Sequence, residues 1–427
     1  MNMIFLALNE LNLDYIKKYI SNGDLPNFKI LLKNGEILTN SEKKYELLEP
    51  WIQWVTVHTG KSYKEHNIFR LGDIVDRKDL SQIFEEFEKK GLSIGAISPF
   101  NTDNRLKSPK FFIPDPWTKT NSSKGFLITK FSNSISKFVN SNATNKTSYS
   151  SYLWLLIGFL YFVRFNNWFK YFKYLINIKK PGIKAIILDN ILGDIFLNLR
   201  SSKNPDFSYL FLNAGAHIQH HYLFNSKVYN GQFKNPEWYC PKNWDPLLEI
   251  LKSYDNLLGK LLKSNKKILC MTGLHQDPHT EQTFYWRLKK HSDFLNEIGI
   301  KNYKSVLPRM SRDFLIEFDS IDDTKEAQNL LESFFDSHFN EKVFSVDNRG
   351  KSLFVELIFS HDIEEDLSFV SDKGKNIKNI KNKVSFVAIK NGKHNGIGYM
   401  FGNYKIALPN KIMLSETNGY LKKLMGV

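Results

Sequence analysis

Residues 4–11 read IFLALNEL, five apolar residues followed directly by an asparagine and a glutamate. An uninterrupted apolar run of this length, next to turn-forming residues, predicts a buried strand. Asn9 and Glu10 then stand at the carboxyl end of that strand. Helix-like apolar spacing follows at residues 12–18 and 27–33, and a strand followed by helices is typical of an α/β fold. We therefore expect a mostly parallel sheet with polar residues along its carboxyl edge.

Further strands and helices alternate along the chain on both sides of a central region. The periodicity predicts an amphipathic helix at 80–90, a strand at 93–98, a strand at 209–213, an amphipathic helix at 246–263 and a strand at 267–272. Residues 314–344 have an acidic, helix-like pattern. The alternation is that of an α/β protein with a parallel central sheet.

Residues 107–206 break this alternation. They begin with connectors rich in Asn, Ser and Thr and continue as an aromatic, basic and helical segment. We expect residues 1–106 and 207–427 to form one α/β core, and residues 107–206 to be an inserted helical cap.

The composition is that of an ordinary globular protein. The 427 residues are 42% hydrophobic and 24% charged, which excludes a disordered or fibrous chain. The formal net charge of +15 attracts anions, whether nucleic acid, an anionic membrane surface or phosphorylated small molecules and glycans. Because the sequence has neither a helix-turn-helix nor an RNA-binding motif, nucleic acid is the least favoured of these partners.

Cysteine content and the N-terminus bear on the compartment. Cys240 and Cys270 are too few for a disulfide framework, and residues 1–8 lack the basic segment and cleavage site of a secretory signal. We therefore expect a cytoplasmic protein. The apolar run at residues 152–163 is shorter than the roughly 20 residues of a spanning helix. The basic and aromatic segment 152–184 suits either peripheral attachment to a membrane surface or a cap packed on the core.

Histidines follow three of the predicted strands. The candidates for a metal site are His217 or His221 after the strand at 209–213, His275 after the strand at 267–272, and His394 after a strand pattern at 384–389. Imidazole is the commonest protein ligand of zinc, and loops at strand ends bring together ligands that are distant in sequence. This pattern predicts a metal or phosphate site at the carboxyl edge of the sheet.

Taken in order, these motifs resemble the alkaline phosphatase superfamily, especially its phosphodiesterase/nucleotide pyrophosphatase branch. Residues 4–11 resemble the opening strand with its metal-binding Asp, and Thr59-Gly60 with residues 66–68 resembles the segment that follows the nucleophile. Residues 209–217 (YLFLNAGAH) resemble a strand followed by D-x-x-x-H, while residues 270–276 and 392–398 resemble an Asp-His loop and a late metal histidine. The resemblance implies a three-layer α/β sandwich, two metal ions, a Thr, Ser or Cys nucleophile, and a phosphate ester or phosphodiester substrate.

The sequence departs from that pattern at the acids and at the nucleophile. The nucleophile position falls on Pro50, and the metal-binding acids become Asn9, Asn213 and Gly273 or Leu274. Two divalent ions close together need anionic ligands to offset their repulsion. We therefore expect one divalent ion rather than two, with zinc favoured and manganese as the alternative.

Three hypotheses follow for the function. One metal ion on the histidines, with Glu10 or Glu49 completing its ligands, would activate a water as nucleophile. Alternatively, Glu10 and Glu49 form a catalytic carboxylate pair that acts on a glycan. The third hypothesis is a binding module without catalysis.

Other side chains near the strand ends are candidates for contact with a substrate. They are Asn9, Trp51, Asn213, His220 and Arg287. Tryptophan stacks on sugars and cations, and arginine binds phosphate or carboxylate. We expect an anionic small molecule, a glycan or a lipid-linked metabolite as the substrate of a metal-dependent hydrolase or transferase.

Overall fold

The computed structural model describes residues 2–140, 148–309 and 311–427. The chain forms two compact units. The first consists of Met1–Val139, Thr147–Pro278 and Gly392–Val427, and the second is formed mainly by His279–Asn391. The second unit therefore lies inside the range 207–427 that we expected to be a single core.

The strands along the described chain have the following bounds. They are β1 (Met3–Leu8), β2 (Glu36–Asn40), β3 (Ile94–Ile97), β4 (Phe111–Ile113), β5 (Phe207–Leu212), β6 (Lys267–Met271), β7 (His275–Leu288), β8 (Ser305–Pro308), β9 (Asp313–Glu317), β10 (Phe334–Asp336), β11 (Phe344–Asn348), β12 (Ser352–Leu357), β13 (Phe369–Ser371), β14 (Asn376–Ile377), β15 (Val384–Asn395), β16 (Ile397–Gly402) and β17 (Lys411–Met413).

The α-helices have the following bounds. They are α1 (Leu13–Ser21), α2 (Pro26–Leu32), α3 (Pro50–Thr59), α4 (Tyr63–His66), α5 (Ile83–Lys89), α6 (Phe126–Asn140), α7 (Tyr149–Phe162), α8 (Trp168–Ile176), α9 (Ile183–Lys203), α10 (Ala214–Tyr222), α11 (Pro246–Leu262), α12 (His291–Ile298), α13 (Ile321–Glu332), α14 (Ile380–Lys383) and α15 (Glu416–Met425).

The first unit is built on a sheet with the strand order β17-β2-β16-β6-β1-β5-β3-β4. The strands β6, β1, β5, β3 and β4 are mutually parallel, while β16 runs antiparallel to both β6 and β2. β1 lies at the centre, as expected for the strand that is apolar at every position. The prediction of a mostly parallel central sheet is confirmed.

Alternate side chains of β1 enter two different hydrophobic cores. Ile4, Leu6 and Leu8 pack with residues of α1, α2, α9, α10 and α11, whereas Met3 and Phe5 pack with residues of α3, α5 and α15. Since successive side chains of a strand point to opposite faces, helices cover both faces of the sheet. This arrangement is the three-layer α/β sandwich that the sequence predicts.

Most of the predicted elements of this unit are confirmed. The strands at 93–98, 209–213 and 267–272 correspond to β3, β5 and β6, and the helix at 246–263 corresponds to α11. In the second unit, the prediction of an acidic helix at 314–344 is wrong in its extent. Only Ile321–Glu332 is helical there, because β9 and β10 flank it and their Phe314, Ile316 and Phe334 are buried strand residues.

Residues 107–206 contain a short strand followed by helices. β4 joins the main sheet beside β3, and α6 to α9 come after it. The helical character predicted for this segment is confirmed, while its function as a cap stays a prediction. Within the residues that the structure describes, no helix is long and apolar enough to cross a membrane.

The second unit has its own sheets and its own core. A four-stranded antiparallel sheet has the order β11-β12-β9-β8, and a smaller sheet has the order β10-β13-β14. Leu295, Ile316 and Leu353 are among the side chains buried in its core. The chain enters and leaves this unit within β7 and β15.

We predict a pH-dependent stability that arises from His58 in the core of the first unit. Its Nε2 and Nδ1 lie 2.9 Å from the Tyr209 hydroxyl and 3.0 Å from the Thr102 hydroxyl. Burial lowers the pKa of His58 from 6.5 to about 3. Because the unfolded chain takes up this proton first, the stability present above pH 6.5 is lost as the pH falls towards the folded pKa.

For His58, this loss amounts to about 2 kcal/mol at about pH 5. Urea unfolding at about pH 7.5 and about pH 5 measures it, and His58→Gln should show a correspondingly smaller loss between the same two conditions. An equal loss in the variant would contradict the assignment.

Candidate metal centre

The carboxyl edge of the main sheet brings the predicted strand ends together. In the register of β1, Leu8 is paired with Leu212 of β5, and Ala7 is paired with Met271 of β6. The segments that follow these three strands therefore begin next to one another; they start with Asn9-Glu10, Asn213 and Thr272. Ligands of open α/β sheets bind at such an edge.

Glu10 is held in an unusual backbone conformation at this edge. Its φ is 58°, in the left-handed region that non-glycine residues rarely adopt. Its carbonyl accepts hydrogen bonds from Gln219 Nε2 at 2.9 Å and from the Gln276 backbone N–H at 3.2 Å, and its own N–H donates to the Thr272 carbonyl at 3.0 Å. These bonds fix the conformation and the direction of the carboxylate.

Two histidines converge on the Glu10 carboxylate. His220 Nε2 lies 3.0 Å and His394 Nε2 lies 3.1 Å from the same oxygen, Oε2, and the two nitrogens are 3.3 Å apart. His220 is on α10 after β5, and His394 is near the end of β15. One carboxylate oxygen and two imidazole nitrogens from three distant parts of the chain therefore meet at one point.

The carboxylate of Glu10 has further donors and is 2% exposed. Asn9 Nδ2 donates to Oε1 at 2.9 Å, and Gln276 Nε2 donates to Oε2 at 2.5 Å. Burial raises the pKa of Glu10, but the charges and hydrogen bonds of His394 and His220 outweigh it, so the pKa lies well below its usual range. Glu10 is thus an ionised carboxylate across the physiological pH range.

Gly392 allows the close approach of β15 to the other elements of the site. A Cβ at this position would lie 2.9 Å from the Gln219 carbonyl oxygen and 2.0 Å from Gln276 Oε1. Since any larger residue would displace these neighbours, glycine is required two residues before His394. The side chain of His394 can then reach Glu10 and His220.

Glu49 lies on the other side of His394. It is the N-cap of α3, and Pro50 occupies the first helical position, where a missing N–H costs nothing. Glu49 Oε2 is 3.9 Å from His394 Nδ1, an ion-pair distance. The structure therefore places a carboxylate next to Pro50, which itself offers no nucleophilic group.

Asn9 and Asn213 form a hydrogen-bonded pair beside Glu10. Asn9 Nδ2 donates to Asn213 Oδ1 at 2.8 Å, and Asn9 Oδ1 accepts from the Trp54 indole N–H at 2.7 Å. The amide of Asn9 is therefore bonded at both its oxygen and its nitrogen. In a protein that held a second metal ion here, these positions would need anionic oxygens.

We predict that Asn9→Asp destabilises the protein. The substitution exchanges a donor to Glu10 for a second buried carboxylate and removes the bond to Asn213. An unpaired buried charge of this kind costs about 3 kcal/mol or more. Urea unfolding in the presence of a chelator measures the effect, and Asn9→Ala is the control that removes the donor without adding charge. Equal stability of the two variants would contradict the prediction.

The other predicted metal histidines occupy different surroundings. His275 Nδ1 donates to the Ile397 carbonyl at 2.6 Å, and its Nε2 lies 3.1 Å from Asp277 Oδ1. The rings of His217 and His221 lie 4.8 Å apart on α10. Among the described residues, the structure brings His394 and His220 together with Glu10, and it does not bring His217, His221 or His275 into that group.

The remaining candidates for substrate contact bond to other parts of the protein or lie among the candidate metal ligands. The Trp51 indole N–H donates to the Phe69 carbonyl at 2.9 Å, and its side chain is half-buried. Arg287 belongs to the second unit, where its guanidinium donates to the carbonyls of Ser311 and Arg309. His220, expected to contact substrate, lies among the candidate ligands instead.

Gln219 and Gln276 are site residues that we did not predict. Both hold Glu10, the first at its backbone and the second at its carboxylate. Gln276 is the second residue of β7, in the segment that follows β6, so its position just beyond a predicted strand end was the available signal. Gln219 lies inside the AGAHIQHHY segment, where no sequence pattern distinguishes its amide from the other polar side chains.

Glu10, His220 and His394 suit a divalent metal ion. Zinc binds nitrogen and carboxylate oxygen at about 2.0–2.2 Å, so a tetrahedral site has ligand atoms roughly 3.3–3.6 Å apart. The three separations of 3.0, 3.1 and 3.3 Å are close to those values. A second group, His338 with Glu364 and Asp366, is exposed on the second unit and consists mostly of acids, which is common without a metal ion.

Comparison with known proteins identifies structural neighbours. No family model matches the chain, and no curated protein matches it. Phosphonoacetate hydrolase from Sinorhizobium meliloti 1021, in complex with phosphonoacetate, is 12% identical with a TM-score of 0.47, over 100% of this chain and 96% of that one. Murine ectonucleotide pyrophosphatase/phosphodiesterase 5 is 12% identical with a TM-score of 0.46, over 100% and 95%.

Another structure of the murine protein, an inactive form in complex with AMP, has a TM-score of 0.45 at 12% identity, over 100% of this chain and 95% of that one. These neighbours are members of the alkaline phosphatase superfamily. At TM-scores below 0.5 the likeness carries no conclusion about activity. The chemistry is therefore argued from the residues of the site itself.

Proposed function

We propose that this protein is a hydrolase or transferase of phosphate esters or phosphodiesters that depends on a single divalent metal ion. The observation that carries the proposal is the convergence of Glu10 Oε2, His220 Nε2 and His394 Nε2 within 3.0–3.3 Å of one another. Two neutral imidazoles and one carboxylate form a ligand set that zinc and manganese accept in hydrolases. Zinc is the favoured ion.

When bound there, a divalent ion would polarise a phosphoryl oxygen and lower the pKa of a water. Glu10 contributes one negative charge, so a divalent ion with its three proposed ligands would keep one positive charge towards a phosphate group, which the nearby Glu49 carboxylate offsets in part. In the absence of an ion the charges and hydrogen bonds of His394 and His220 lower the pKa of Glu10, and a bound cation would likewise favour the ionised carboxylate. Once a metal ion is bound, the group of Glu10, His220 and His394 is thus an anion-binding centre.

We assign the role of general base to Glu49. Its carboxylate is one-third exposed, next to the position of the family's nucleophile, and lies 3.9 Å from His394 Nδ1. From there it can accept a proton from an attacking water or alcohol. It also orients the ring of His394, since metal-bound histidines usually pair their second nitrogen with a carboxylate or carbonyl.

One ion is favoured over two by the surroundings of Asn9. The amide of Asn9 is bonded to Trp54, Glu10 and Asn213, so its oxygen faces an indole N–H. Neutral amides with that bonding offset little of the repulsion between two cations. This supports the single-ion hypothesis, with a water or substrate alcohol in place of a covalent nucleophile at Pro50.

The glycan-acting alternative is less well supported. A carboxylate pair needs one partner with a raised pKa as general acid, and the pKa of Glu10 is lowered. The roles would then have to be Glu49 as acid and Glu10 as base or nucleophile. Glu10 instead accepts hydrogen bonds from Asn9 and Gln276 and contacts two histidines, which leaves little room for attack.

The test is turnover by metal-loaded and chelated protein on a panel of a phosphate monoester, a phosphodiester and glycan- and lipid-linked phosphates. We expect phosphoester turnover that disappears on chelation and returns with added zinc or manganese. Turnover indifferent to chelation, or saturable binding by the loaded protein without any product, would contradict the proposal. We also propose a cytoplasmic location, which is consistent with two buried cysteines that form no disulfide.

A further inference from the structure

Helices α7 and α8 expose apolar stripes to solvent. Leu153, Leu156 and Leu160 on α7, and Phe169, Phe172 and Ile176 on α8, are each between 48% and 69% exposed. Both sets follow the spacing i, i+3, i+7, which places their members on one face of a helix. Exposed apolar surface of this extent on a soluble protein commonly marks an interaction site.

The two helices pack on each other through different residues. Phe159 of α7 contacts the rings of Trp168 and Tyr171 at centroid distances of 6.0 and 5.0 Å. Tyr171 is buried, and its hydroxyl donates to Asp194 at 2.6 Å. The apolar stripes are therefore not needed to hold α7 and α8 together.

The chain segment that carries α8 has charges of one sign. Residues 163–184 contain Arg164 and five lysines and no acid. Lys173, Lys179 and Lys180 are exposed. An apolar stripe flanked by basic side chains is the pattern of a helix that lies in the plane of an anionic membrane surface.

A cavity of about 500 Å³ opens beside α8. Its lining includes Lys170, Lys173 and Lys180, together with Phe169, Trp244 and the single acid Glu249. Lys180 Nζ lies 4.7 Å from the centroid of the Trp244 ring, and Lys173 Nζ lies 4.8 Å from that of Phe169. Phe169 belongs to both the cavity and an apolar stripe, so the basic cavity and the apolar surface are continuous.

We propose that α7 and α8 dock on an anionic phospholipid bilayer, with a lipid headgroup phosphate in the cavity lined by Lys170, Lys173 and Lys180. A second copy of the chain suits this surface less well, because it would bring the same positive charge against it. The stripes lie on the membrane rather than across it, since neither helix is long enough to span. The inference is independent of the metal site and of the proposed function.

Co-sedimentation with vesicles tests the proposal. We expect the full chain to pellet with vesicles of phosphatidylcholine and phosphatidylglycerol at low salt, and much less with phosphatidylcholine alone. Lys173→Ala with Lys180→Ala should weaken the partition coefficient roughly 30-fold, since each lysine near an anionic surface contributes about fivefold. Leu156→Ser with Phe172→Ser should also release the protein.

Matched controls separate this surface from general effects. Lys29→Ala with Lys33→Ala removes the same charge from exposed positions on α2 and at its C-cap, and Ile30→Ser removes an exposed apolar side chain of α2; both variants should still pellet. His394→Ala should pellet as well, so a failed metal site leaves the result unchanged. Equal binding to neutral vesicles, equal losses in the α2 controls, or a dimer through α7 and α8 with no pelleting would overturn the proposal.

Discussion

Replacing Glu10 by glutamine is expected to remove the metal ion and with it all phosphoester turnover. The substitution preserves shape but takes away the one carboxylate oxygen that both His220 and His394 approach within 3.1 Å. Loss of an outer-shell partner alone typically costs 10–100-fold in metal affinity, so loss of this ligand should cost at least roughly 100-fold. Elemental mass spectrometry after gel filtration measures the metal content of the variant and so reports the loss of the ion.

The matched control is Glu49→Gln. Glu49 contacts His394 from the opposite side, and we assign it a role in proton transfer rather than in binding the ion. This variant should keep its metal while turnover falls by about 10²–10⁴-fold, the usual contribution of a general base. Retention of the ion by Glu10→Gln together with its loss from Glu49→Gln would reverse the roles assigned to the two carboxylates.

The second large effect is expected at the histidines. His220→Ala and His394→Ala should each lose stoichiometric metal, because each removes one of the proposed ligand atoms. His275→Ala should keep it, since both ring nitrogens of His275 already bond to Ile397 and Asp277. Isothermal titration with zinc into the three chelated variants compares them directly.

Thermal unfolding of each variant without metal provides the control for folding. His275 packs against Tyr399 with ring centroids 5.3 Å apart, so its removal should lower stability without affecting the ion. If His275→Ala lost the metal while His220→Ala kept it, the original assignment of His275 as a ligand would be right and the proposed ligand set would be wrong.

The fold of the first unit could be predicted from the apolar pattern. β1 is buried on both faces, so its residues are uniformly apolar and are easy to identify, and β5 and β6 are mostly apolar apart from Ser208 and Lys267. The boundary at His279–Asn391 could not be predicted, because β7 and β15 run across it without a break in pattern. Each of these two strands is continuous, although its residues on either side of the boundary belong to different units.

The site could be predicted in part. Glu10 and His394 stand at strand ends, where position along the chain is enough to place them at the edge of the sheet. His217, His220 and His221 lie on a helix. Which of their rings points towards Glu10 depends on side-chain directions, which cannot be read from the residue pattern alone. The role of Gln276 likewise depends on the unusual backbone of Glu10, which positions the carboxylate beside it.

The asparagines explain why the acids of the resembled family are absent. Asn9 and Asn213 bond to each other, and Asn9 also bonds to Trp54 and Glu10, a network that two carboxylates at the same positions would break by repulsion. The basic chain, with its formal charge of +15, thus has one carboxylate at the centre of this group. That arrangement is the physical basis on which we propose a single ion.

The most direct test of this account is anomalous diffraction at the zinc edge from crystals of the zinc-loaded protein. The account predicts one strong peak bounded by Glu10, His220 and His394 and no peak at Asn9 and Asn213. Two peaks at this edge of the sheet, or none in protein that turns over a phosphoester, would contradict it.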